Sequence, residues 1–352
     1  MKRVGNLYEK VYDMDNLRLA HKNARRGKGW YNEVKMVDSD VDYYLDKISR
    51  YIMFQTYHTS KYHVFERKEH NKLRRIHKLP YYPDRIVHWA LIQVIEPYLI
   101  RTMTADTYSA IPGRGVHYGM RRVQNDIEND FEGCKYCLKF DISKYYQSID
   151  HEILKMKFRR MFKDQKLLWL IDEIIDSVPD EEGLPIGNYL SQYCGNLYLS
   201  DFDHWIKEVK QVKYYHRYMD DIVIFSDDKT KLHNLFADIR AHIEETLNLK
   251  IKSNWQIFPT YVRGVDFLGY VFFGSHTLVR NTTKKTMRHK LLKMTYKHRL
   301  DEHDRSVVAS YSGWTKHADC RHLEHLYLET IQRRLYQLKL QFKIKMEGAL
   351  SL

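Results

Sequence analysis

The 352-residue chain has no apolar run approaching the ~20 residues that a membrane-spanning helix requires, so a bilayer is not its expected solvent. Its start, MKRVGNLYEK, carries no apolar stretch behind the basic residues, and no secretory leader is expected. Four cysteines are too few and too scattered for a disulfide framework, which points to a reducing, cytoplasmic compartment. Cys134 and Cys137 do form a C-x-x-C, but a zinc site would want a second pair, and only Cys194 and Cys320 remain. Internal repeats, low-complexity tracts and Gly/Ser-rich linkers are absent as well, which excludes solenoids and flexible tandem arrays. Acidic side chains are in deficit: 45 Asp and Glu face 58 Lys and Arg, leaving a net charge of +13 and a pI near 9.3.

That surplus calls for a polyanionic partner, and with no membrane segment the partner expected is nucleic acid. A hydrophobic content of 43% and a charged content of 29% are ordinary for a globular chain, so disorder is not the default. Twenty-eight tyrosines among the basic residues suit surfaces that stack bases and hold phosphates, although many must simply pack. The length fits two or three subdomains sharing a core. The charge is unevenly placed: residues 276–352 hold 16 Lys and Arg against 7 Asp and Glu, the mark of a basic helical lobe on a phosphate backbone. We therefore divide the chain at 275/276.

Periodicity predicts a helix over Ile86–Leu99 ending near Pro97, and helical stretches over Leu154–Val178 and Leu232–Leu247. It predicts strands at Tyr136–Ile142, Lys213–Tyr218 and Ile222–Phe225, and a strand pair at Lys250–Phe258 and Arg263–Phe273. Leu338, Leu340, Phe342 and Ile344 alternate like a strand after a helical stretch, and that choice stays open.

Two motifs carry chemistry. The first is Tyr218-Met219-Asp220-Asp221, set between apolar strands in YYHRYMDDIVIFSDD. Adjacent carboxylates at a hairpin tip are costly unless compensated, and a hard divalent cation compensates them. The second is Phe140-Asp141-Ile142-Ser143-Lys144-Tyr145-Tyr146, where an Asp ends an apolar strand. Two-metal phosphoryl transfer needs carboxylates from separate strands, clamping ions roughly 3.5–4 Å apart. Asp141 with Asp220 meets that need; either alone does not. An acidic hydrolase could use the same carboxylates, but no general acid or attacking residue stands beside them in the sequence.

The order Asp141, Leu184-Pro185-Ile186-Gly187-Asn188-Tyr189-Leu190-Ser191-Gln192, YMDD, then Phe267-Leu268-Gly269-Tyr270 resembles the palm of a reverse transcriptase, over roughly Arg67 to Tyr270. The resemblance implies an α+β right hand of fingers, palm and thumb, with a ferredoxin-like palm sheet and residues 276–352 as the basic helical thumb. It implies two magnesium ions, with manganese able to substitute, held by Asp141, Asp220 and the Ile142 carbonyl and supported by Asp221. Tyr146 becomes the gate against a 2′-hydroxyl, and Phe267, Leu268, Gly269 and Tyr270 the primer grip. Arg75, Arg85, Ile186, Gly187 and Gln192 line the nucleotide site, and Lys252 is a candidate proton donor to pyrophosphate. Lys284, Lys285, Arg288 and Lys290 hold the nucleic-acid backbone.

Retroviral and intron enzymes usually carry Gln-Gly and then Ser-Pro where this chain has Ile186-Gly187 and Ser191-Gln192. That departure, with Ser310 to Ala318 (SYSGWTKHA), resembles the reverse transcriptases of diversity-generating retroelements. Those enzymes misincorporate opposite template adenines. The implied partners are template RNA, primer and cDNA, dNTPs, a cognate noncoding or template-repeat RNA and a small accessory protein, with no membrane. The chain ends soon after the thumb, so no RNase H or endonuclease domain is expected. Rival readings are an antiphage-defence, retron or intron-type reverse transcriptase, and an RNA-binding protein with a vestigial polymerase core. The intact Asp141, Asp220 and Asp221 weigh against the last, because buried carboxylates without metal would cost stability.

Overall fold

A computed structural model describes residues 2–69, 72–178, 183–185, 187–297 and 299–336. By its contacts the chain forms two units. The first comprises Met1–Gly113, Lys139–Ile222 and His233–Trp255. The second comprises Arg114–Leu138, Val223–Leu232 and the chain from Gln256 on.

The first unit opens with helices α1 (Tyr8–Tyr12), α2 (Met14–Ala24), α3 (Asn32–Ser39) and α4 (Val41–Met53). In α4, Leu45, Ile48, Ser49 and Ile52 are buried at a spacing of three and four residues, and Asp40 caps the start by accepting from the Tyr43 N–H at 3.2 Å. A hairpin follows, β1 (His63–Glu69) with β2 (Lys72–Lys78), antiparallel with Glu66 opposite Arg75. Helix α5 (Ile86–Arg101) is buried at Ile86, Val87, Ala90, Leu91, Ile92, Ile95 and Leu99 and packs against α2. Pro97 lies inside it, so the expected stop there is corrected to Arg101: burial on several faces outweighs the one hydrogen bond a proline removes.

The single helical stretch expected over Leu154–Val178 is in fact two helices, α7 (His151–Met161) and α8 (Gln165–Ile175). Asp164 makes the break. One of its oxygens caps α8 through the Leu167 N–H at 3.4 Å, and the other accepts from the Leu7 and Tyr8 N–H groups at 3.1 and 3.0 Å. Helices α9 (Tyr189–Tyr198) and α10 (Ser200–His204) come next.

A four-stranded sheet has the order β4 (Tyr214–Tyr218), β5 (Asp221–Ser226), β3 (Tyr136–Asp141), β6 (Gln256–Pro259). Helix α11 (Lys229–Leu247) follows β5. The expected pairing of Lys250–Phe258 with Arg263–Phe273 does not occur. Strand β6 lies at the edge beside β3, Ile251 makes only an isolated bridge to Ile142, and the later segment folds on itself.

In the second unit, helix α6 (Val116–Asn129) is followed, after β6, by the short α12 (Thr260–Arg263) and by a three-stranded sheet, β7 (Val265–Phe267), β8 (Tyr270–Phe272) and β9 (Thr277–Val279). Its first turn, Leu268-Gly269, has φ of 55° and 84°, the two-residue pattern that matches strand twist. Helix α13 (Asn281–Thr295) and helix α14 (Glu302–Thr315) then close a core of Met287, Leu291, Met294, Leu300, Val308, Tyr311, Leu328 and Ile331. The stretch from Leu338 to Ile344 lies outside the described residues. All four cysteines are free and buried, and no described helix is long and apolar enough to cross a membrane.

Candidate active site

Asp141 is the last residue of β3, and Asp220 sits in the two-residue turn between β4 and β5. The backbone joins these ends: the Ile142 N–H donates to the Asp220 carbonyl at 3.3 Å, and the Lys252 N–H to the Asp141 carbonyl at 2.9 Å. Lys252 is thereby carried into the site. Its Nζ lies 3.7 Å from Asp141 Oδ2 and 4.0 Å from Asp220 Oδ2, with both carboxylates about a third exposed. Asp221 turns to a different partner, Lys139 Nζ at 3.6 Å.

Two carboxylates that already bracket one ammonium fit a hard divalent cation, which takes carboxylate oxygens. Among the described residues no group of three or more His, Cys, Asp or Glu side chains stands ready to hold a metal. Two carboxylates could serve a hard cation whose remaining positions are filled by water and substrate phosphates.

Met219 has φ 55° at the first turn position, where glycine is usual, and stays nearly buried. Tyr146, in a short 3₁₀ turn over Tyr145–Gln147, directs its hydroxyl to Met219 Sδ at 3.5 Å. Burial and the nearby Asp220 charge push its phenol well above the ordinary tyrosine range. Tyr145 is fully packed, its hydroxyl donating to the Gly195 carbonyl on α9. Gly187 takes φ 121°, and a Cβ there would lie 3.2 Å from the His77 carbonyl, so this loop runs close beside β2. Gln192 is exposed on α9. Ile186 lies outside the described residues.

Arg75 is exposed on β2. Arg85 is half-buried, its Nε is enclosed, and among the described residues that atom has no hydrogen-bond partner. Burial lowers its pKa against the opposing effect of Tyr31 and Tyr81, and burial together with Arg85 lowers that of Lys28. A partly desolvated guanidinium beside a second cation suits an anionic ligand.

In the second unit, Phe267–Tyr270 forms the β7–β8 turn, and Trp314 of α14 covers it. The Tyr270 hydroxyl donates to the Trp314 carbonyl at 3.2 Å, and the two rings lie 5.2 Å apart. Lys284, Lys285, Arg288 and Lys290 are all exposed on α13, which buries Met287 and Leu291, and none makes an ion pair among the described residues. Sequence reasoning passed over Lys28, Lys139 and the fully buried Arg217–Asp203 pair beneath the YMDD turn. The available signal was an arginine inside a short, aromatic-rich strand leading to the YMDD turn, where burial would demand a counter-charge.

The family described as "Reverse transcriptase (RNA-dependent DNA polymerase)" matches residues 66–272. The chain is 24% identical over 262 residues to Protein YkfC of Escherichia coli (strain K12), covering 63% of this chain and 67% of that protein. It is 22% identical over 216 residues to the group II intron-encoded protein LtrA of Lactococcus lactis subsp. cremoris, covering 58% of this chain and 35% of LtrA. Among solved structures, telomerase from Candida albicans in complex with a TWJ fragment of telomeric RNA matches with a TM-score of 0.51 at 12% identity. The match covers 72% of this chain and 55% of that one, so the chain spans about half the telomerase's length. At that identity the likeness concerns the fold, the expected right-hand polymerase architecture.

Proposed function

The chain belongs to the reverse transcriptase family, and from that premise we propose that it is an RNA-directed DNA polymerase, copying a template RNA into cDNA from dNTPs. The observation that carries the reading is the convergence of Asp141, at the end of β3, and Asp220, in the β4–β5 turn, on one cationic group. Asp141, Asp220 and the Ile142 carbonyl would hold two magnesium ions, with Asp221 in support. Such ions, when bound, supply the charge that activates a 3′-hydroxyl and offsets a leaving pyrophosphate. Arg85, Arg75, Gly187 and Gln192 bind and orient the nucleotide, and Tyr146 excludes a 2′-hydroxyl. Lys252, whose Nζ stands beside both carboxylates, is placed to give a proton to the leaving pyrophosphate. Phe267–Tyr270 grips the primer, and residues 276–352, as the thumb, hold the backbone through Lys284, Lys285, Arg288 and Lys290. Four free, buried thiols support a reducing, cytoplasmic setting.

The Ile186-Gly187 and Ser191-Gln192 pattern supports a finer assignment: a diversity-generating retroelement enzyme, error-prone at template adenines and assisted by a template-repeat RNA and a small accessory protein. Similarity to LtrA favours a second reading, an intron-type enzyme with a different RNA partner. Primer extension on poly(A) RNA, with magnesium or chelator, tests the shared activity. Wild-type protein should extend only with metal, and Asp220→Ala should lose extension while keeping its fold and RNA affinity, since one metal clamp supplies several kcal/mol at the transition state, about 10²-fold or more. Near-normal extension by Asp220→Ala would remove the two-metal assignment.

A further inference from the structure

Arg217 is a fully buried side chain, one residue before the YMDD tyrosine. Its planar fork is saturated. Nε donates to Asp203 Oδ1 at 2.7 Å and Nη2 to Asp203 Oδ2. Nη1 donates to Asn196 Oδ1 at 3.2 Å and to the Met219 carbonyl at 3.1 Å, and Nη2 also faces Thr107 Oγ1 and the Asn196 carbonyl, each at 3.4 Å. Asp203 in turn accepts from the Tyr215 hydroxyl and from Thr107 Oγ1 at 3.0 Å. One guanidinium therefore ties α9, α10, β4 and the catalytic turn to a common point. Only one of these bonds reaches the turn itself, and it ends on the residue whose backbone is left-handed.

We propose that Arg217 is a positioning residue: locked by Asp203, it holds the Met219 carbonyl and so fixes the peptide that aims Asp220 at Asp141. The proposal rests on the polymerase reading of that carboxylate pair. Its physical basis is geometric. A non-glycine residue at positive φ persists only where its surroundings over-determine it, and the donors on Met219 are Arg217 at the carbonyl and Tyr146 at the sulfur. If the carbonyl is released, the Met219–Asp220 peptide can rotate and carry the Asp220 carboxylate with it. A displacement near 1 Å at a reacting group costs about 10²-fold in rate. A buried ion pair acting only as glue for the fold predicts something else, because neutral side chains of similar volume often replace such a pair without loss.

The test uses the full chain in two forms, Arg217→Met/Asp203→Asn and Arg217→Lys. The double variant removes both charges together, and the amide that Asp203→Asn provides keeps one oxygen to accept from Tyr215 or Thr107 while its NH2 can donate to the other hydroxyl. Arg217→Lys keeps the charge beside Asp203 but lacks the fork that also reaches Met219. Each should keep the unfolding midpoint and template–primer affinity near wild type, lose about 10²-fold in kcat, and leave KM for dNTP within about threefold. Amide exchange at Met219 to Ile222 should rise at least about tenfold, a local opening that a remote structural loss would not confine there. Wild-type kcat in either folded variant, or unchanged exchange at the turn, overturns the proposal. If the double variant fails to fold, Arg217→Lys decides by the same readings. A wild-type enzyme that never extends a primer would sink the polymerase reading instead, and exchange at the turn would still judge Arg217.

Discussion

Gly269→Ala perturbs the β7–β8 turn at one atom. Gly269 has φ 84°, and a Cβ built there would lie 2.5 Å from both Cη2 and Cζ3 of Trp314. Two costs add. An L-residue at positive φ is strained by about 1–2 kcal/mol, and overpacking against a held neighbour costs about 1–3 kcal/mol more. The neighbour is held: its carbonyl accepts from the Tyr270 hydroxyl, and its ring packs on the α13–α14 core. The expected loss is therefore about 2–5 kcal/mol, read by urea unfolding with a probe in the second unit. Trp314→Ala should relieve the second cost alone, so in that background Gly269→Ala should cost only the ~1–2 kcal/mol of strain. The cycle thus isolates a coupling of about 1–3 kcal/mol between a turn residue and a helix residue far along the chain. Additive single losses would refute the contact, and a Gly269→Ala loss below about 0.5 kcal/mol would refute both costs together. If this turn grips a primer, the fraction that stays folded should also extend more slowly per bound template.

Three further outcomes are expected. Tyr146→Ala should admit ribonucleotides, measured by dNTP/rNTP competition; a purely packing role predicts lower stability with sugar choice unchanged. Replacing Lys284, Lys285, Arg288 and Lys290 with Gln should weaken template binding and lower the slope of log affinity against log salt by up to about 0.9 for each duplex phosphate no longer neutralised, and an unchanged slope would mark this helix face as merely solvated. Ile186→Gln should lower errors opposite template adenine several-fold, since one gained hydrogen bond is worth ~1 kcal/mol if it favours only the correct geometry. A wild-type error rate at adenine no higher than at other bases, found by sequencing the cDNA, would remove the diversity-generating assignment.

Local structure was legible in the residues themselves. An apolar strand that ends in Asp141, a short hairpin that turns at Asp220 and an amphipathic helix before Leu247 are patterns of period and punctuation, and each stands where the sequence implied, with Asp221 already inside β5. Pro97 and Asp164 misled for opposite reasons. The proline is overridden by burial around α5, while Asp164 imposes a break because its side chain satisfies backbone donors from two places at once. Sheet partners were not legible either: β6 and β7 are each short and apolar enough to pair with the other, and the left-handed Leu268-Gly269 turn gave β7 a nearer partner in β8. Only the tertiary structure decided that Lys252, far along the chain from Asp141, stands between both carboxylates, and that Arg217 and Asp203 meet beneath the turn. Those meetings depend on which chain segments lie side by side, and a charge inside a buried strand announces that it needs a partner without saying which one it will find.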